Sequence, residues 1–121
     1  MKNTHTDKTG IKRITDAFTH TFNGFKETYK RDKAFRQEFF LALFLIPIAF
    51  LIGENSIQKI LLISSILILM LVEIINSAIE TTINQISIEQ HHSSMTAKDM
   101  GKAAVFVAII NAVLIWLLIL F

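Results

Sequence analysis

Glu73 and Glu80 are the residues of this 121-residue sequence best placed to do chemistry. Glu73 ends a run from Ile60 to Val72, thirteen residues without a charge. Seven positions separate it from Glu80, nearly two helical turns, so Glu73, Asn76, Ser77 and Glu80 project from one face of a single helix. A carboxylate at membrane depth costs about 3 kcal/mol on insertion scales and marks a functional site, with a partner or cation expected close by. Held in apolar surroundings, such a group suits a base acting on an alcohol at the membrane surface. A second carboxylate nearer water serves a hard divalent cation such as Mg²⁺, which takes one or two carboxylates and completes its shell with phosphate oxygens. The plainer reading of the same face is a set of buried polar groups that bond neighbouring helices and fix their assembly. Asp32 precedes the first apolar stretch and is a further candidate cation ligand, although its context, Lys30-Arg31-Asp32-Lys33, reads more simply as a solvated run.

The elements that position these groups are helices in a membrane. The composition is 52% hydrophobic and 18% charged, and the mean hydropathy of +0.50 fits an integral membrane protein better than a soluble domain. Cysteine is absent, which excludes disulfides and thiolate chemistry. No continuous apolar core lies in the first thirty residues, so a cleavable secretory signal is not expected. From about 10 to 31, Ile11, Ile14, Phe18, Phe22, Phe25 and Tyr29 recur at steps of three or four among charged residues, predicting an amphipathic helix that lies in the headgroup region. Spans are expected at about 34–53, 57–83 and 99–121, with a polar connection from Asn84 to Met95. Pro47 is a candidate kink in the first. Trp116 suits the outer interface, and Gly101, Ala104, Ala108 and Ala112 form a small-residue stripe for close helix approach, to which Asn111 adds a candidate interhelical hydrogen bond.

Charge distribution sets the orientation. Nine of the twelve Lys and Arg residues precede the first apolar stretch (Phe39 to Gly53), Lys98 and Lys102 lie between the second apolar stretch and the third (Ala103 to Phe121), and Lys59 alone is left for the first connection. The N-terminus and second connection are therefore expected in the cytoplasm, which brings Glu73 into the inner half of the bilayer and Glu80 near the cytoplasmic surface, where nucleoside triphosphates are. Asp16, Glu27 and Asp32 interleave the basic block, so anionic lipid headgroups are its expected partner, and nucleic acid is not. A single copy with three spans is too thin to enclose two acids, a cation and a substrate, which argues for a homo-oligomer with sites between subunits.

Other motifs are weaker. Thr96-Ala97-Lys98-Asp99 fits a helix-capping pattern, and as a helix N-terminus it doubles as a phosphate site. His91-His92 with Glu89 lacks the ligand cluster zinc needs and reads as a solvated loop or a nucleotide contact. Gly10, Gly24, Gly53 and Gly101 form neither a GxxxxGK[ST] nor a GxGxxG loop, so any nucleotide must be held by side chains from several helices.

Several stretches resemble the prokaryotic diacylglycerol kinase family across nearly the whole chain. They are Ala34-Phe35-Arg36-Gln37-Glu38, Leu61-Leu62-Ile63-Ser64-Ser65, Val72-Glu73-Ile74-Ile75-Asn76-Ser77-Ala78-Ile79-Glu80 and Ala97-Lys98-Asp99-Met100-Gly101 with Ala103-Ala104-Val105. The resemblance implies a homotrimeric inner-membrane enzyme, multi-pass with its N-terminus cytoplasmic, that moves the γ-phosphoryl of ATP to diacylglycerol and gives phosphatidic acid for phospholipid recycling. It implies Glu73 as the base, Asn76 as its support, and Asp32 and Glu80 as Mg²⁺ ligands. ATP contacts are implied for Arg13, His20, Asp32, Glu80, Glu89, His91, Lys98 and Asp99. Lipid contacts are implied for Arg13, Phe22, Ala34, Phe35, Arg36, Gln37, Glu38, Glu73 and Lys102. Five positions depart from the family's usual residues: Asp32 replaces Glu, His20 Tyr, Phe22 Trp, Asn84 an acid and Lys102 Ser. An undecaprenol kinase uses the same acids on another lipid alcohol, and a non-catalytic assembly or ion-conducting subunit would use Glu73 as a relay.

Overall fold

The structure is a computed structural model that describes residues 9–86 and 91–121. Within these residues the fold is all-α: α1 (Gly10–Arg31), α2 (Lys33–Ile52), α3 (Ser56–Ile86) and α4 (His91–Leu120). Three of them, α2, α3 and α4, are long and apolar enough to cross a membrane, as expected. α1 is the amphipathic helix. Its apolar stripe, Ile11, Ile14, Phe18, Phe22, Phe25 and Tyr29, is exposed, with Tyr29 at its end packing edge-on against Phe39 and Phe40 of α2, and Thr28 is its buried residue. That stripe is a lipid-facing surface.

Each junction has a local cause. Thr9 caps α1 by accepting from the Lys12 amide at 3.3 Å, and Asp32 both ends α1 and caps α2, its Oδ1 accepting from the Phe35 amide at 3.0 Å. Pro47 lies inside α2, which runs on to Ile52 without a break. At the tight turn into α3, the Asn55 side chain accepts from the Gln58 amide and the Gln58 side chain accepts from the Glu54 amide, both at 2.9 Å, a reciprocal arrangement close to a capping box. Gly53 is needed there, because a Cβ would run into the Lys59 side chain and lie 3.0 Å from the Ala49 carbonyl.

α3 is the central helix, packing most extensively on α4 and next on α2. α2 buries Phe35, Ala42 and Ala49, spaced by seven, while α3 buries Leu62, Ser65, Ile66, Leu69, Glu73 and Asn76. Gly101, Ala108 and Ala112 form the buried face of α4. Small side chains thus meet α3 from both flanks and let the backbones approach. Ala104 does not belong to that stripe. It is exposed, because it sits about 60° around the helix from the centre of the face that Gly101, Ala108 and Ala112 share. The interhelical bond expected of Asn111 is made by another residue: Trp116 Nε1 donates to Ser65 Oγ at 3.0 Å.

The second connection is shorter than expected. α3 continues to Ile86 and α4 starts at His91, so most of the stretch from Asn84 to Met95 is helical. Apolar length measures how much helix lies in lipid, whereas α3, at 31 residues, is about 46 Å long and overshoots a hydrocarbon core of about 30 Å. Thr96 consequently sits within α4 and donates to the His92 carbonyl at 2.9 Å, so it caps nothing and the anion site expected at Thr96–Asp99 has no helix N-terminus behind it.

Candidate functional site

The polar end of the bundle gathers side chains from the α1–α2 junction, α3 and α4. Glu73 and Asn76 are buried on α3, and Ser77 and Glu80 follow half-buried on the same face, as the spacing requires. Asp32 meets this face from the junction, with Ser77 Oγ donating to its Oδ2. One carboxylate therefore caps α2 with one oxygen and ties α3 to the junction with the other. Burial pushes the Asp32 carboxyl up, but hydrogen bonding with Ser77, with Glu73 and with the Phe35 and Ala34 amides outweighs it, so the group lies below its ordinary value of 3.8.

Glu80 is the next joint. Its Oε1 accepts from Asn76 Nδ2 at 3.4 Å and pairs with Lys102 Nζ of α4 at 3.3 Å. Gly101 presses α4 against Asn76, where any Cβ would collide with the Asn76 amide oxygen. Asp32, Glu73, Asn76, Glu80 and Lys102 all line one cleft of about 480 Å³, with Ala34 at its edge. Around it lie three buried oxygens without a hydrogen-bond partner: Glu38 Oε1, Glu73 Oε2 and Asn76 Oδ1. Native structures rarely leave such atoms unsatisfied, and of the three residues Glu73 and Asn76 stand on the cleft wall, the Asn76 oxygen facing Gly101 of α4.

Of the remaining predicted residues, Phe35 is buried in the α2–α3 packing and Gln37 is exposed. Arg36 is occupied structurally: its Nη1 donates to the Tyr29 and Lys30 carbonyls at 2.7 and 3.0 Å, closing the end of α1, and its guanidinium lies 6.0 Å from the Tyr29 ring centre. Lys98 lies one turn before Lys102 on α4, half-buried, with Asp99 exposed beside it. Arg13, His20 and Phe22 are exposed on α1, and Arg13 lies about 27 Å along that helix from its cleft end, so this chain does not bring it to the acids. Glu89 and the side chain of His91 lie outside the described residues.

A magnesium-linked triphosphate makes modest demands here. Among the described residues no three acidic or histidine side chains form a metal cage, yet a Mg²⁺ ion that shares phosphate oxygens needs only one or two carboxylates. Asp32 and Glu80, both on the cleft wall, fit that requirement.

Sequence reasoning missed two links. The Asp32 cap was legible as an Asp standing directly before an apolar helix. The Glu80–Lys102 pair carried no sequence signal, since it depends on the register of α4 against α3.

The prokaryotic diacylglycerol kinase profile matches residues 19–120, the whole bundle with most of α1. A diacylglycerol kinase of Haemophilus influenzae is 42% identical over 113 residues, covering 93% of this chain and 96% of that protein. One from Escherichia coli is 43% identical over 112 residues, 93% and 92% of the two chains. A more distant diacylglycerol kinase, from Helicobacter pylori, is 36% identical over 107 residues, 88% and 84%. With its three spanning helices, its acid-lined cleft and this similarity along nearly its full length, the chain belongs to the prokaryotic diacylglycerol kinase family, a family of membrane kinases.

Proposed function

We propose that this protein transfers the γ-phosphoryl group of ATP to the free hydroxyl of diacylglycerol, giving phosphatidic acid and ADP, at the cytoplasmic face of a bacterial inner membrane in phospholipid recycling. The observation that carries the reading is Glu73, a buried carboxyl with one unpartnered oxygen, on the wall of a polar cleft at the end of a membrane-crossing helix. Relatives that are diacylglycerol kinases over almost their whole length support the choice of lipid.

In this mechanism the lipid hydroxyl lies against Glu73. Its oxygen attacks the γ-phosphorus while Glu73 takes the proton, and the bond from that phosphorus to the bridging oxygen of ADP breaks. Asn76 holds Glu80 in place, and Glu80 and Asp32 are the residues that would hold a Mg²⁺ ion carried by the triphosphate. When bound, Mg²⁺ supplies charge neutralisation on the phosphate oxygens. Positioning and charge stabilisation provide most of the acceleration in phosphoryl transfer, and a cleft assembled from three helices is suited to both. Lys98 and Asp99 on the overhanging part of α4 contact the nucleotide, and the segment from Ala34 to Glu38 meets the lipid.

The working unit is a homotrimer. α4 leaves large apolar side chains exposed along its length, and Arg13 and His20 stand away from the acids of their own chain, so a neighbouring copy completes each site. The basic N-terminal block supports a cytoplasmic N-terminus. The test is transfer of label from γ-labelled ATP in mixed micelles, with diacylglycerol and undecaprenol offered separately. Transfer to diacylglycerol that is lost in Glu73→Gln is expected; transfer only to undecaprenol reassigns the lipid, and no transfer to either by an assembled protein overturns the kinase reading.

A further inference from the structure

Lys102 reaches across from α4 and places its ammonium 3.3 Å from Glu80 Oε1, the same oxygen that accepts from Asn76. Both side chains stand on the wall of the cleft that holds Glu73 and Asp32. The lysine side chain is 67% exposed and the glutamate 36%, so the pair is reached by water and can be opened; it is not a buried lock. An ammonium in this position neutralises the carboxylate that the proposed reaction assigns to a divalent cation. It also bridges α3 and α4 one residue beyond the Gly101–Asn76 contact, holding the cleft wall together.

We infer that Lys102 is a resident counter-cation of Glu80, displaced when a divalent cation arrives, so that ammonium and metal compete for one carboxylate. The inference rests on the proposed role of Glu80 as a cation ligand. Its consequence is that this chain needs more free divalent cation to fill the site than it would without the lysine. The cleft keeps its α3–α4 bridge when no metal is present.

The test is a titration with Mn²⁺, followed by the electron paramagnetic resonance signal of the free ion, on the full-length protein in detergent micelles with the methylene analogue of ATP at fixed concentration. Lys102→Met keeps the length of the stem and removes the charge. It is expected to lower the half-saturating Mn²⁺ concentration by roughly two- to fivefold, the range set by an exposed pair, while Lys102→Arg stays close to the parent protein. Glu80→Gln is expected to remove most of the binding in either background. Mn²⁺ binding that depends on Glu80 but is unchanged or weaker in Lys102→Met overturns the counter-cation and leaves the role of Glu80 standing. Binding indifferent to Glu80→Gln overturns both.

Discussion

The two ends of α3 solve the same problem in opposite ways. Toward the apolar end, Ser65 is fully buried, yet its hydroxyl donates to the Leu62 carbonyl at 2.7 Å and accepts from Trp116 Nε1 at 3.0 Å, so the polar group is satisfied. Toward the polar end, Glu73 and Asn76 are buried just as deeply, and each keeps an oxygen with no partner. One end spends all its polarity on joining helices; the other also joins them, through Asp32–Ser77 and Glu80–Lys102, but leaves Glu73 Oε2 unmet beside the cleft. Burial alone therefore does not identify a site in a membrane bundle, whereas burial with unmet hydrogen-bonding capacity beside a cleft does.

Substitutions can break this contrast. The largest effect is expected from Glu73→Gln, which should lower the transfer rate by about 10²–10⁴-fold, the usual worth of a positioned base, with unfolding in a denaturing-detergent titration little changed. A variant that loses folding and activity together would make Glu73 a structural residue like Ser65. Next is Gly101→Ala, whose added methyl meets the Asn76 amide oxygen and should cost about 1–3 kcal/mol of stability by overpacking; the same titration, with the assembly state followed by cross-linking, measures it. Trp116→Phe removes one satisfied hydrogen bond and should cost only about 0.6 kcal/mol, the average for such bonds between membrane helices, leaving the transfer rate within twofold. A large loss of rate there would dissolve the division between the two ends.

The smallest effect concerns pH. The folded-state value of Asp32 is depressed below 3.8, so its contribution to stability is present above that value and is lost as pH falls through the lower folded-state value. Ser77→Ala removes one of the bonds that depress it. The variant should be less stable than the parent near neutrality, where the contribution is present, and the difference should close as pH falls through the Asp32 value, so that the acid limb becomes shallower. An unaltered acid limb would mean that the Ser77 bond contributes nothing to holding the junction.

Much of the architecture was legible because lipid writes a strong pattern. α1 followed from aromatic spacing with its expected bounds, and the spans from uncharged runs. The overhang of α3 and α4 was not, since residues such as Thr82, Asn84, Thr96 and Lys98 carry no apolar signal and their helicity comes from continuation of α3 and α4 beyond the lipid. At the site, the face shared by Glu73, Asn76, Ser77 and Glu80 was fixed by the helical period alone. Asp32 was readable as a further cation ligand but not as a cap bonded to Ser77, and the approach of Lys102 to Glu80 was not readable at all. One depends on a cap that stops α1 at Arg31, the other on the depth at which Gly101 lets α4 settle. Ala104 shows the same limit from the other side: steps of three and four look alike in sequence but diverge around a cylinder.

The continuous helix from Glu73 to Glu80 acts as a ruler. Seven residues of rise set the two acidic positions about 10 Å apart along the helix axis, with no hinge between them. In the proposed reaction the alcohol stays with its oily tails while the phosphate donor stays in water, and the ruler sets the height at which the two would meet. An extra residue inserted between the acids would turn one away from the other by about 100° while lengthening the gap by only about 1.5 Å. Tolerance of length is therefore far narrower here than in the lipid-facing stretches, where one apolar residue replaces another at little cost.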